Sequence, residues 1–161
     1  MNVRYCIAFP FSATDVASFD GRSYVKIDLT LMPIIAVEDR THFRFKTVKS
    51  EGLMLYSHGF QGDIFVIQMV KSRLLLSIGL GENKMKVIKC GSALDDGLWH
   101  SMSIVREERR VEVRLDGVSQ MVVLENGYYK MNLDDAYFVG GIDHLQRPFV
   151  VVSLEQLRLF E

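Results

Sequence analysis

Alternation with a period of two governs this chain. Val111, Val113 and Leu115 alternate with Glu112, Arg114 and Asp116, and Phe43 and Phe45 alternate with Arg44 and Lys46. Met85 and Val87 alternate with Lys84 and Lys86 in the same way. A strand turns successive side chains to opposite faces, so segments of this kind bury one face and wet the other. The longer apolar runs Asp63 to Val70 and Leu74 to Leu80 predict strands buried more deeply. Val150 to Phe160 also fits an amphipathic helix, but we read it as a closing strand with a bend.

Turn chemistry separates these runs. Glu51-Gly52, Gly59 to Gly62, Gly79 to Asn83, Asp95 to Gly97, Asp116-Gly117 and Asn126-Gly127 all favour the positive φ of tight connections. With no convincing helix of about ten residues or more, the pattern predicts an all-β antiparallel sandwich or jelly roll. About twelve to fourteen strands in two sheets are expected. Asp95 to His100 leads into a strand on which Met102 and Ile104 share a face, Glu107 to Arg110 form a polar hairpin tip, and an alternating strand returns to Asp116-Gly117. Trp99, Phe65, Ile67, Ile104, Phe138 and Leu157 are among the expected core residues.

The 161 residues, 48% apolar and 24% charged, suit one domain with a real core. A single unit over residues 1–161 is expected, with residues 1–17 an unassigned N-terminal segment. The net charge of −1 argues against binding nucleic acid or an acidic membrane through overall charge. The densest apolar runs, Leu31 to Val37 and Phe149 to Leu154, fall far short of the roughly 20 residues a spanning helix needs, so no direct membrane insertion is expected. Met1 to Phe11, broken by Pro10, makes a poor signal peptide, so a secreted protein would carry this chain as a fragment. Cys6 and Cys90 are too few for a disulfide framework and leave one bridge or two free thiols open.

Catalytic patterns are weak, and we expect no enzyme. Glu108 and Glu112 are four apart, as two carboxylates on one strand face would be, but they flank a hairpin tip rather than a sugar cleft. His42, His58, His100 and His144 have no metal-site spacing. No nucleophile-elbow motif occurs, and Gly79 to Asn83 lacks the Gly-Lys-Ser/Thr ending of a phosphate loop. Lys84, Lys86, Lys89, Arg106, Arg109, Arg110 and Arg114 could form a basic surface. Glu107, Glu108 and Glu112 offset it, so we read it first as a solvated strand face.

Five segments, in order, resemble laminin-G-like domains, with neurexin and contactin-associated repeats as near cousins. They are Phe19 to Tyr24, Phe43 to Thr47 followed by Glu51 to Tyr56, Gly62-Asp63 opening an apolar strand, Leu94 to His100, and Tyr137 to Gly141. The resemblance covers roughly Ser18 to Glu161 and implies a concanavalin-like jelly-roll sandwich of two sheets with His100 in or near the core. It departs from the family pattern near the C-terminus, where Phe149 to Ser153 holds no cysteine.

The resemblance also implies a Ca²⁺ site at one rim. It places Asp63 and Asn132 as side-chain ligands and the carbonyls of Leu80 and Lys130 as backbone ligands, with Asp134 and Asp135 in reserve. Ca²⁺ takes six to eight oxygens and accepts carbonyls and water, and a set with one carboxylate would bind weakly. The function implied is extracellular recognition or adhesion, in a secreted protein or an ectodomain. The rim loops at residues 59–62, 81–84, 127–135 and 143–147 would contact a protein ligand or receptor. The alternatives are a module binding anionic, heparan sulfate-type glycans, a steroid-type pocket between the sheets, and a structural spacer in a mosaic protein.

Overall fold

A computed structural model describes residues 16–21, 23–31, 33–81, 85–125 and 128–142. All the regular structure among them is β: β1 (Val25–Asp28), β2 (Ile34–Ala36), β3 (Glu38–Phe45), β4 (Gly52–His58), β5 (Ile64–Val70), β6 (Arg73–Gly79), β7 (Met85–Cys90), β8 (His100–Glu107), β9 (Arg110–Leu115), β10 (Val118–Val123), β11 (Met131–Leu133) and β12 (Ala136–Val139). A six-stranded sheet runs β1-β12-β4-β5-β6-β7 and a four-stranded sheet runs β10-β9-β8-β3. A short ribbon pairs β2 with β11. Every pairing is antiparallel, as the expected jelly-roll sandwich requires. The expected closing strand and Leu157 lie outside the described residues, as does Cys6.

Alternation builds the interior. On β3, Asp39, Thr41, Phe43 and Phe45 turn in while Glu38, Arg40, His42 and Arg44 are exposed. On β8, His100, Met102, Ile104 and Arg106 turn in. Phe43, Phe45, Met102 and Ile104 meet Phe65, Ile67, Met69, Leu74, Leu76 and Ile78 from β5 and β6. Burying each large apolar side chain contributes about 1.5–3 kcal/mol. The run over β5 is apolar on both faces for a reason. Its other face carries Val66, which joins Leu53, Tyr56, Ala136 and Phe138 in a second buried cluster.

Two expected placements are corrected. On β7, Leu76 pairs with Ile88 and Leu74 with Cys90, and Ile88 and Cys90 face inward. Val87 is therefore exposed, and the Met85–Val87 face is not the core face. Trp99 is 45% exposed, not core. Its ring lies outside the sheet under the Arg44 guanidinium, 5.2 Å from centroid to guanidinium carbon, a cation–π contact that leaves the indole partly wet.

His100 takes the inward place beside Phe45. Its Nδ1 lies 2.7 Å from Asp116 Oδ2 and its Nε2 3.1 Å from Asp96 Oδ1. Burial alone would lower its pKa, but the bonds to Asp116 and Asp96 outweigh burial and hold it above the ordinary 6.5. The Leu98 N–H bond leads in lowering Asp96. Asp116 resists burial through the Ser101 N–H and His100, and is also lowered from 3.8. The signs define a window. The histidine contribution is complete below about 6.5 and is lost as pH rises through its raised value. The carboxylate contributions hold above the ordinary 3.8 and are lost as pH falls through the lowered values. The melting temperature should therefore decline from pH 6 to pH 9, and His100→Asn should flatten that limb. A decline that is identical in the variant would remove His100 as its cause.

Candidate recognition rim

The rim forms where β4 hands over to β5 and where the β2–β11 ribbon crosses the end of the sandwich. Gly59 to Gly62 make a tight turn, closed by Gly62 N–H donating to the Gly59 carbonyl at 3.0 Å and Gly59 N–H donating to the Asp63 carbonyl at 2.9 Å. The turn delivers Asp63 to the head of β5 with its side chain buried. Its carboxylate accepts two backbone N–H bonds, Gly81 to Oδ1 and Asn132 to Oδ2. One carboxylate thus joins the turn, the chain leaving β6 and the ribbon. Gly59 makes the close approach possible, because a Cβ there would fall 1.8 Å from the Asn132 carbonyl oxygen.

Asp63, Lys130 and Asn132 line one cavity of about 490 Å³ with Gln61, Ile35, Gly81, Tyr128 and Tyr129. Leu80 is wholly buried beside Gly81. The Lys130 ammonium lies 5.9 Å from the Tyr129 ring centroid, a contact that holds it to an aromatic face. Asn132 Oδ1 is buried with no hydrogen-bond partner. That unmet acceptor is what an oxygen-seeking cation would satisfy, and each Asp63 oxygen keeps a lone pair beyond its backbone bond. The residues therefore fit a Ca²⁺ ion. Among the described residues no three His, Cys, Asp or Glu side chains converge, so the donors would be one carboxylate and neutral oxygens.

The reserve ligands have other work. Asp134 Oδ1 accepts the Phe60 N–H at 2.8 Å and so fixes the turn. Asp135 Oδ2 faces His58 Nδ1 at 3.6 Å. Of the expected rim loops, residues 82–84, 127 and 143–147 lie outside the described residues. The sequence reading missed the apolar character of the rest, where Phe60 is 74% exposed and Tyr128 66%, and of the neighbouring β2, where Ile35 is 62% exposed. Glycine and tyrosine spacing after Asn126 was the available signal.

One member of the basic group does not lie on the solvated strand face. Arg106 is wholly buried, because it continues the inward alternation of Met102 and Ile104 and finds acceptors there. Arg114 pairs with Glu112 at 3.1 Å, and Lys86 reaches Glu125 at 3.5 Å. Such exposed pairs contribute little to stability but do offset local charge. Cys90 is buried and free, accepting a bond from Gln120 Nε2, and burial pushes its thiol pKa up.

A family model described as the laminin G domain matches residues 45–158. The chain belongs to the laminin G domain family. This laminin G domain is 32% identical over 133 residues to Neurexin-4 of Drosophila melanogaster, covering 83% of the chain and 10% of that protein. It is 30% identical over 139 residues to Contactin-associated protein 1 of Homo sapiens, again covering 83% of the chain and 10% of that protein. The domain thus spans about a tenth of the length of these curated relatives. Domains LG4-5 of the mouse laminin alpha1 chain superpose with a TM-score of 0.76 at 17% identity, over 95% of this chain and 42% of that one. The LG1-3 region of the laminin alpha2 chain gives 0.70 at 19% identity, over 88% of this chain and 28% of that one. These structures carry the fold.

Proposed function

We propose that this laminin G domain is a non-catalytic, extracellular recognition and adhesion module that binds a protein ligand or receptor through the rim. We take residues 1–161 as one such unit. The rim would include a weak Ca²⁺ seat formed by the Asp63 and Asn132 side chains and the carbonyls of Leu80 and Lys130. The observation that carries the metal reading is the buried, unpartnered Oδ1 of Asn132, a residue that lines the same cavity as Asp63. When bound, Ca²⁺ would supply positive charge and a coordination position for an acidic partner group. The exposed Phe60, Tyr128 and Ile35 supply the apolar anchors that typically carry interface energy. The glycan alternative loses support because Arg106 is buried.

Calorimetric titration of Ca²⁺ into chelator-treated protein tests the seat. A dissociation constant of about 10⁻⁴ to 10⁻³ M is expected. Asn132→Ala should abolish the heat yet leave the melting temperature in chelator unchanged, because Oδ1 has no hydrogen bond to lose. Asn132→Asp should tighten binding by adding a second carboxylate. No heat and no thermal stabilisation at millimolar Ca²⁺ would remove the ion from the rim.

A further inference from the structure

The wholly buried Arg106 makes five hydrogen bonds to five residues in three stretches of the chain. Its Nε donates to Asp39 Oδ2 at 2.6 Å. Nη1 donates to the carbonyls of Val37 at 3.0 Å, Glu108 at 2.8 Å and Tyr129 at 3.0 Å. Nη2 donates to the Ala36 carbonyl at 2.8 Å. Arginine's planar fork suits several fixed acceptors, and a buried guanidinium needs them. Two of these acceptors belong to the rim. Ala36 ends β2, and Tyr129 leads into β11, where Met131 pairs with Ala36 and Asn132 with Ile35.

We propose that Arg106 is the positioning residue of the rim: it fixes the β2–β11 ribbon to the four-stranded sheet and so sets where Lys130 and Asn132 sit. The ribbon is then held from two sides by buried charges of opposite sign. Asp63 grips the Asn132 N–H from the six-stranded sheet, and Arg106 grips the Tyr129 and Ala36 carbonyls from the other. Three ladder pairs alone make a weak ribbon, so its geometry depends on these two grips. The consequence for binding rests on the reading of the rim as the recognition site, but the mechanical consequence does not.

The test has two arms. In the first, hydrogen exchange is followed in wild-type protein through low denaturant. Amides at 34–37 and 128–133 should open together, with one opening free energy and one denaturant slope. In the second, Arg106→Lys keeps the charge, but its three N–H donors on one nitrogen cannot serve all five acceptors. Exchange at 128–133 should accelerate roughly tenfold or more while β4 to β6 stay protected. Ca²⁺ affinity should weaken by about tenfold to a hundredfold, as for lost outer-sphere support. Separate opening of 128–133 in wild type, or unchanged exchange there in a folded Arg106→Lys protein, would overturn the proposal. Wild-type protein that binds no Ca²⁺ but passes both exchange arms would sink the metal reading and leave the positioning role standing. Ca²⁺ binding with unchanged exchange would do the reverse.

Discussion

Gly59→Ala is expected to lower the melting temperature by about 10 °C, a loss of about 3 kcal/mol at a few degrees per kcal/mol for a chain of this size. The new methyl would fall 1.8 Å from the Asn132 carbonyl oxygen, closer than any real contact. That oxygen is backbone, so no side-chain rotation relieves the clash. Either the turn or the ribbon must move, and both meet at the Asp63 carboxylate. Gly117→Ala is the control. Gly117 has φ +86° but nothing within 4 Å of its added carbon, so it costs only backbone strain of about 1 kcal/mol. Thermal melts followed by circular dichroism separate the cases. If the two variants melt together, the approach of the turn to the ribbon is not rigid.

The legible parts of the molecule are those that depend on local sequence. Alternation identified the inward faces of β3, β8 and β9, and the continuous apolar run marked β5 as a more deeply buried strand, which the structure covers on both faces. Alternation could not choose the inward face of β7. There, apolar Met85 and Val87 compete with Ile88 and Cys90, and the pairing register with β6 decides. Arg106 shows the limit most clearly. Its position two residues after Ile104 predicts an inward side chain, but its charge suggested the surface. Its acceptors Ala36 and Val37 lie about 70 residues away, so nothing local announces that they are there. The rim was half legible. The resemblance named Asp63, Leu80, Lys130 and Asn132 as one site, and the cavity is lined by Asp63, Lys130 and Asn132 but not by Leu80. It did not foresee that Asp63 would be bonded to the Gly81 and Asn132 amides, because those bonds also depend on contacts distant in sequence.

That bonding makes Asp63→Ala a stability variant before it is a binding variant. Removing the carboxylate leaves two N–H groups, Gly81 and Asn132, without the acceptor each now has. Hydrogen bonds to a charged acceptor are among the stronger ones, and a stranded buried donor costs about 1–3 kcal/mol. Together the two should lower stability by about 3–5 kcal/mol, on the order of 10 °C in melting temperature. The loss should appear in full in chelator, with no cation present. Asn132→Ala should lose nothing there, since its side-chain oxygen bonds to nothing. The contrast separates two roles that a calcium titration alone would merge. If Asp63→Ala and Asn132→Ala melt alike in chelator, Asp63 is no clasp and any effect on binding comes from the ion. If only Asp63→Ala falls, the carboxylate helps to hold the rim without any ion, and a cation would enter a site already built.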